Sequence, residues 1–352
     1  MFDFLALLLI LLKSSAFLSE RPKESNHFHI VKLNSLLTAS TCSPSNKGLG
    51  TPIKEVTLVI DTGSTLIWTQ CQPCKLGTLH GCAKQRHPIF DPSKSSTYSN
   101  VTCPSHTCTL ANTTLELSNY ASSTCEYAYS YLDGMGVAGF LAKERLSVGP
   151  DTFIDIIFGC SEVNVNLTLV DTDGILGLDQ GFLSFVEQTS KTYQKVFLYC
   201  LPSKASEIGF LKFGKAKHVS KSLKFTELGA GYVIPLVEIK LGNTKLPITF
   251  KKGAASIDSG SSISTLPSKD YITLRDAYRK AMSHYELVFD ILDTCYHVGI
   301  VFPVNSSVVC LPFAEIPGGG DYVLFGNAQQ KTLEIVYDVA GGKIGFGYEG
   351  CR

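Results

Sequence analysis

From Thr51 onward, apolar residues either alternate with polar ones or run together in short blocks. KEVTLVID, IDIIFGC, VFLYCL, GFLKFG and YVIPLVEIKL are the clearest cases. Alternation is the mark of a half-buried strand, and a short apolar block the mark of a fully buried one. Helical spacing is confined to two places. Ser184-Phe-Val-Glu187 is a capping box and predicts a helix running to about Tyr193. A second helix is predicted from near Ser268, where Tyr271, Leu274, Tyr278, Ala281 or Met282, and Tyr285 recur on one face. Residues 20–48 are polar and carry neither period, so they read as a spacer. The pattern predicts a mainly all-β chain with a few short helices.

The first twenty residues change the picture. Phe4 to Leu12 is an apolar run followed by small polar residues. It is too short to span a bilayer and fits the central region of a signal peptide over residues 1–19, although Asp3 stands where a positive charge is expected. No later segment is apolar enough to cross a membrane. Twelve cysteines agree with export to an oxidising compartment. So do four glycosylation sequons, at Asn100, Asn112, Asn166 and Asn305. The expected location is extracellular or vacuolar, reached through the secretory pathway; a plastid transit peptide is the alternative.

Composition narrows the functional classes. Of 352 residues, 44% are apolar and 18% charged, enough apolar content for a substantial core and too much for disorder. Lysine plus arginine equals aspartate plus glutamate, and there is no basic run, so nucleic acid is not an expected partner.

One sentence of the sequence is written twice. LVIDTGST occupies 58–65 and ASIDSGSS occupies 255–262. Each is echoed downstream by apolar-apolar-glycine: Ile175-Leu176-Gly177 after the first, Leu324-Phe325-Gly326 after the second. A doubled grammar of this kind predicts two lobes related by a pseudo-twofold axis. An apolar strand that ends in Asp-(Thr/Ser)-Gly-(Ser/Thr) sets a carboxylate in a tight turn. Its glycine allows close approach of a partner. Two such turns face to face force Asp61 and Asp258 to share a proton, because two like charges in contact do not both ionise cheaply. One carboxyl is then an acid and the other a base that activates water. A single copy of the motif is most simply a turn that caps a strand; two matching copies are not.

The chain resembles the pepsin-like aspartic peptidases, and within them the plant branch of nepenthesin-like and chloroplast-nucleoid-DNA-binding-type enzymes. The matching text is DTGSTLIWTQCQPC (61–74), PIFDPSKSSTYSNVTC (88–103), DGILGLDQGFLSFVEQT (173–189), VFLYCLPS (196–203), LDTCY (292–296) and FGNAQQKTLEIVYDVAGGKIGFG (325–347). The resemblance implies a bilobal double β-barrel with a cleft between the lobes. Its N-terminal lobe would span 49–194 with a cysteine-rich insertion, and its C-terminal lobe 195–352. Residues 20–48 resemble the remnant of a pro-segment. Asp61 and Asp258 would be the catalytic pair of an acid-active endopeptidase. Thr62, Gly63, Ser64, Ser259, Gly260 and Ser261 would support it. Tyr131 would be the flap tyrosine that closes over a peptide substrate, braced by the indole N–H of Trp68. The reading by residue type alone leaves Trp68 as ordinary core, and Tyr131 as one of three alternating tyrosines with Tyr127 and Tyr129. No cofactor is implied, and the chain would act as a monomer on protein or peptide substrates.

Cys71, Cys74, Cys82, Cys103, Cys108 and Cys125 cluster in the first lobe with His80 and His87. Zinc is one reading of Cys71-Gln-Pro-Cys74 with those histidines. A disulfide knot is the better one for an exported chain, and no metal is expected. Cys295 and Cys310 are expected to pair; partners for Cys160, Cys200 and Cys351 are not assignable. Relatives usually carry one more cysteine shortly before the position of Cys125, and this chain lacks it. If a pro-segment leaves with Cys42, eleven cysteines remain, an odd number that demands a free thiol or a lost partner.

Three further departures bear on activity. The strand that relatives carry ahead of Gly50-Thr51-Pro52 is expected to be missing. The stretch between Cys295 and Cys310 is short, so the second lobe is expected to lack strands. Leu132 and Met135 stand where relatives have glycine and serine in the flap. These features favour, as the alternative to an active enzyme, a catalytically weak or silent protein that binds a protein or glycan partner in the same cleft.

Overall fold

The computed structural model describes residues 8–12, 29–36, 39–42, 48–74, 81–112, 115, 123–167, 169, 171–202, 208–215, 221–248, 254–287, 294–297, 308–316 and 318–348. Strands dominate them, as the apolar alternation requires, and they curl into two half-barrel sheets with a few short helices.

Both lobes are built on one local plan. Leu58–Asp61 pairs in parallel with Gly174–Gly177, which pairs antiparallel with Trp68–Gln70. In the other lobe Ala254–Ile257 pairs in parallel with Val323–Phe325, which meets Ser264–Leu266 antiparallel. Each motif strand therefore lies beside its own apolar-apolar-glycine echo. Trp68–Gln70 and Ser264–Leu266 each gain a second neighbour, this one parallel: Asp151–Val165 and Phe313–Glu315 respectively. All four residues of Leu58–Asp61 and of Gly174–Gly177 are buried, which explains why they read as apolar blocks rather than alternations.

Beneath the lobes, Val196–Cys200 pairs with Ile208–Phe213 on one side and Glu334–Asp338 on the other. Its aromatic residues fill the floor: Phe197 stacks on Tyr337 with centroids 4.4 Å apart, and Tyr232 meets Tyr337 edge-on. A second apolar cluster lies under the long hairpin of the first lobe and contains Trp68, Tyr127, Met135, Val137, Leu141, Cys108 and Cys125.

Residues 20–48 correct the reading from pattern. His29–Leu36 and Ala39–Cys42 form an antiparallel hairpin. It lies between Ile208–Phe213 and the first motif strand, Leu58–Asp61. Directly ahead of Gly50, where a strand is expected to be missing, Gly48–Leu49 is a two-residue strand paired with Gly136–Val148. Open sheet edges recruit extended chain by backbone hydrogen bonding, which needs no apolar period. Leu8–Leu12, inside the expected signal peptide, is likewise extended against Val233–Leu241.

The predicted helix from Ser184 is broken in two, Phe185–Gln188 and Ser190–Tyr193. Ser184 caps it by accepting from Glu187 N at 3.2 Å. Thr189 turns its hydroxyl back onto the Phe185 carbonyl and leaves helical geometry. Ser268–Ala281 is one helix that buries Leu274 and Tyr278. Cys295–His297 and Val308–Cys310 pair with Cys295 directly opposite Cys310, and Glu286–Leu287 extends them into a separate three-stranded sheet.

Candidate active site

The two motif turns meet across the lobe interface and hold one another symmetrically. Thr62 N donates to Ser259 Oγ at 3.1 Å, and Ser259 N donates to Thr62 Oγ1 at 2.9 Å. Each hydroxyl then reaches the strand opposite: Thr62 Oγ1 donates to Ile257 O at 3.2 Å, Ser259 Oγ to Ile60 O at 3.0 Å. Four hydrogen bonds buried between two turns fix the turns relative to each other.

Within each turn the aspartate is held twice. Asp61 accepts from Gly63 N at 2.9 Å and from the Ser64 hydroxyl. Asp258 accepts from Gly260 N at 2.8 Å and from Ser261 Oγ at 2.6 Å. Both carboxyls are nearly out of solvent, Asp61 6% and Asp258 9% exposed. Each also lies against the glycine of the opposite turn. A Cβ on Gly63 would stand 2.6 Å from Asp258 Cγ, and one on Gly260 would stand 2.6 Å from Asp61 Cγ. Glycine is required here for close approach, since neither position has a left-handed backbone. Burial first, then the charge of Asp258, holds the Asp61 carboxyl well above the usual carboxylate range. Donation from Ser64 and Gly63 pulls it only part of the way back.

The hairpin of Glu126–Ser130 and Gly136–Val148 carries Tyr131 at its turn. Trp68 Nε1 donates to the Tyr131 hydroxyl at 2.7 Å while the indole itself is fully buried, so Trp68 is both core and brace. Burial first, then the charge of Asp61, holds the Tyr131 hydroxyl well above its usual range. Leu132, beside it at the tip, is 87% exposed, whereas Met135 is buried in the cluster under the hairpin. The methionine anchors the hairpin by packing where relatives have a serine.

Comparison with known proteins decides the family. Residues 45–215 match the family model described as xylanase inhibitor N-terminal. An aspartyl protease family protein of Arabidopsis thaliana is 40% identical over 343 residues, covering 86% of this chain and 71% of its own. The chain belongs to the pepsin-like aspartic protease family. Aspartic proteinase nepenthesin-1 of Nepenthes gracilis is 27% identical, with 87% of this chain and 77% of that protein covered. The crystal structure of basic 7S globulin from soybean shares the fold with a TM-score of 0.69 at 18% identity, over 91% of this chain and 94% of that one.

In this aspartic-protease chain several site residues went unnoticed by motif reasoning. Gln330 Nε2 donates to Asp258 O at 3.0 Å and to Phe325 O at 2.7 Å, and Asn327 Nδ2 donates to Ser259 O at 3.1 Å. Tyr199 donates to Gln330 Oε1 and lies 3.1 Å from the Tyr337 hydroxyl. These groups form a polar backing behind the second turn. Their signal was a buried Asn and Gln directly after Leu324-Phe325-Gly326, in a helix of four residues too short to show a period.

Five of the six clustered cysteines of the first lobe are in disulfides. Cys71 pairs with Cys160, Cys74 with Cys82, and Cys108 with Cys125; Cys295 pairs with Cys310. Cys200 is also disulfide-bonded, and Cys351 lies outside the described residues. Cys103, a disulfide candidate by sequence, is a correction: it is a free thiol. Its Sγ reaches Cys108 Sγ at 3.3 Å, but Cys108 is already committed to Cys125, and no cysteine precedes Cys125 in the place where relatives have one. Replacing Cys103 with serine is expected to remove one reactive thiol equivalent from the unreduced, denatured protein. It should change stability by no more than about 1 kcal/mol, as read by thiol titration and a thermal melt. Unchanged thiol reactivity would show Cys103 to be bonded. Of the sequons, Asn100, Asn112 and Asn166 are exposed, and Asn305 lies outside the described residues. No helix among the described residues is long and apolar enough to cross a membrane.

Proposed function

We propose that the chain is an aspartic endopeptidase, active in acid, with Asp61 and Asp258 as its catalytic carboxyls. The observation that carries this is the packing of each carboxyl against the glycine of the other's turn, with Asp61 raised by burial and by Asp258. A pair so placed retains one proton well above the pH at which isolated carboxyls lose theirs. The ionised member takes a proton from a water between them, and that water's oxygen bonds to the substrate carbonyl carbon. The protonated member gives its proton to the carbonyl oxygen. The resulting gem-diol then collapses, the C–N bond breaks, and the leaving amine takes up a proton from the pair. No covalent intermediate, metal or cofactor takes part. Tyr131, held by Trp68, closes over the peptide and excludes water.

Export through the secretory pathway is part of the same reading, supported by the disulfides and the exposed sequons. The second reading is a silent binder of a protein partner. It is favoured by the name of the matched family model and by the exposed Leu132 at the flap tip. One experiment separates the two. The processed protein should cleave a denatured protein between about pH 2 and pH 6 and lose this activity to pepstatin. Correctly folded protein that binds pepstatin but turns nothing over would establish the silent reading.

A further inference from the structure

A third carboxyl, which the doubled motif does not explain, lies beside the first motif turn. Asp179 follows the first apolar-apolar-glycine echo, and its backbone is fastened to the Asp61 turn. Leu178 N donates to Asp61 O at 2.8 Å, and Asp179 N donates to Ser64 O at 3.2 Å. Its neighbour Gln180 spans to the other lobe, accepting from Gly231 N at 2.9 Å and donating to Gly229 O at 3.4 Å. Asp179 therefore sits where the two lobes meet, beside the first motif turn.

Its side chain is half-buried and underused. Gly181 N donates to Oδ1 at 2.7 Å, and the Thr65 hydroxyl lies beside it. Among the described residues no lysine, arginine or histidine pairs with it. Tyr129 belongs to the strand Glu126–Ser130 of the flap hairpin. Burial first, then the charges of Asp61 and Asp179, pushes its hydroxyl up to about 12, and its ring meets Tyr131 edge-on at 5.0 Å. Asp179 is thus accompanied by tyrosines and the Asp61 turn, and no cation pairs with it among the described residues.

We propose that Asp179 is a specificity-determining residue that receives a lysine or arginine side chain of the peptide next to the scissile bond. A half-buried carboxylate lacking an internal counter-ion gains more from an incoming ammonium or guanidinium than an exposed one does. An apolar or neutral side chain at the same place gains nothing from it. The proposal rests on the endopeptidase reading for its turnover test and on binding alone for its second test.

The effect depends on pH. Burial raises Asp179, so its charge is complete only above the ordinary carboxylate range. The groups around it are Thr65 from the first turn, Tyr129 from the flap hairpin and Tyr232 from the other lobe, and Asp61 is tied to the preceding residue through Leu178 N. The tyrosines are raised and stay neutral in acid, leaving the carboxyls to set the field.

The test uses matched peptides that differ by lysine or leucine at one position flanking the cut. The lysine-to-leucine ratio of kcat/KM should rise about five- to tenfold from about pH 3 to about pH 6. Asp179→Asn should flatten that rise, and Asp179→Lys should invert it in favour of a glutamate peptide. A rise that survives Asp179→Asn overturns the proposal, as does a ratio that never changes with pH in the native chain. Calorimetry of the same peptides on Asp258→Asn protein keeps the two ideas apart. Tighter binding of the lysine peptide, abolished by adding Asp179→Asn, upholds the subsite even if no peptide is cut. Equal binding of both peptides overturns it even if cleavage is efficient.

Discussion

Adding one methyl group at position 63 is expected to abolish most turnover while leaving a folded protein. The Cβ of Gly63→Ala would stand 2.6 Å from Asp258 Cγ and 2.7 Å from each of its oxygens. Real Cβ atoms do not approach that closely, so something must yield. Asp258 is pinned by Gly260 N and Ser261 Oγ, and the turns are locked by Thr62 and Ser259. The least costly escape is to part the two turns, which separates the carboxyls. A displacement of a few tenths of an ångström to one ångström at reacting groups costs about two orders of magnitude in kcat. Overpacking of a tight site costs about 1–3 kcal/mol of stability, a few degrees in Tm. The backbone at Gly63 is not left-handed, so alanine strains nothing but the contact. Gly260→Ala, aimed at Asp61, should behave alike. Steady-state kinetics with a thermal melt checks both; turnover within a few-fold of the native chain would mean the carboxyls are not packed as described.

Asp258→Asn is expected to push activity and stability in opposite directions. Losing one member of an acid–base pair should lower kcat by about three to four orders of magnitude. Stability should rise near neutral pH, by about 1–3 kcal/mol. The sign follows from linkage. Asp61 is raised in the folded state, so the native protein binds its proton more tightly than the unfolded chain does. Folding stability is therefore greatest below the ordinary carboxylate pKa and is lost as pH climbs through the raised value. Removing the charge of Asp258 removes the second largest cause of that rise, and with it part of the loss. The native protein should lose Tm between mildly acid and neutral pH, and the variant should lose less. Equal pH dependence in the two proteins would mean that Asp61 does not feel Asp258. The site is thus a place where function is kept at a cost in stability.

Much of this site is legible in the sequence because both of its halves are written out. LVIDTGST and ASIDSGSS place the aspartates, and the two apolar-apolar-glycine echoes place the strands that lie beside them in parallel. The capping box at Ser184 locates a helix start, because a side chain that accepts from the backbone three residues on acts locally. What the pattern misses acts over distance. Gln330 and Asn327 belong to no doubled motif, and only the fold carries them behind Asp258. Tyr199 and Tyr337 sit in apolar strands and look like core until their hydroxyls meet. Residues 20–48 lack a period, yet His29–Leu36 and Ala39–Cys42 are strands, because backbone pairing with Ile208–Phe213 and Leu58–Asp61 needs no apolar alternation. Asp179 is invisible for a third reason: an aspartate in a turn is ordinary, and its meaning depends on the catalytic turn it lies against.

The most direct measurement of the central claim is the pH dependence of kcat/KM on a peptide without ionisable side chains near the cut. Two carboxyls that share one proton give a bell: activity rises as the first proton leaves the pair and falls as the second leaves, with the two limbs well separated. The account predicts that bell in acid, and its collapse in Asp258→Asn. A single sigmoid climbing toward neutral pH, or a bell that survives Asp258→Asn, would contradict it.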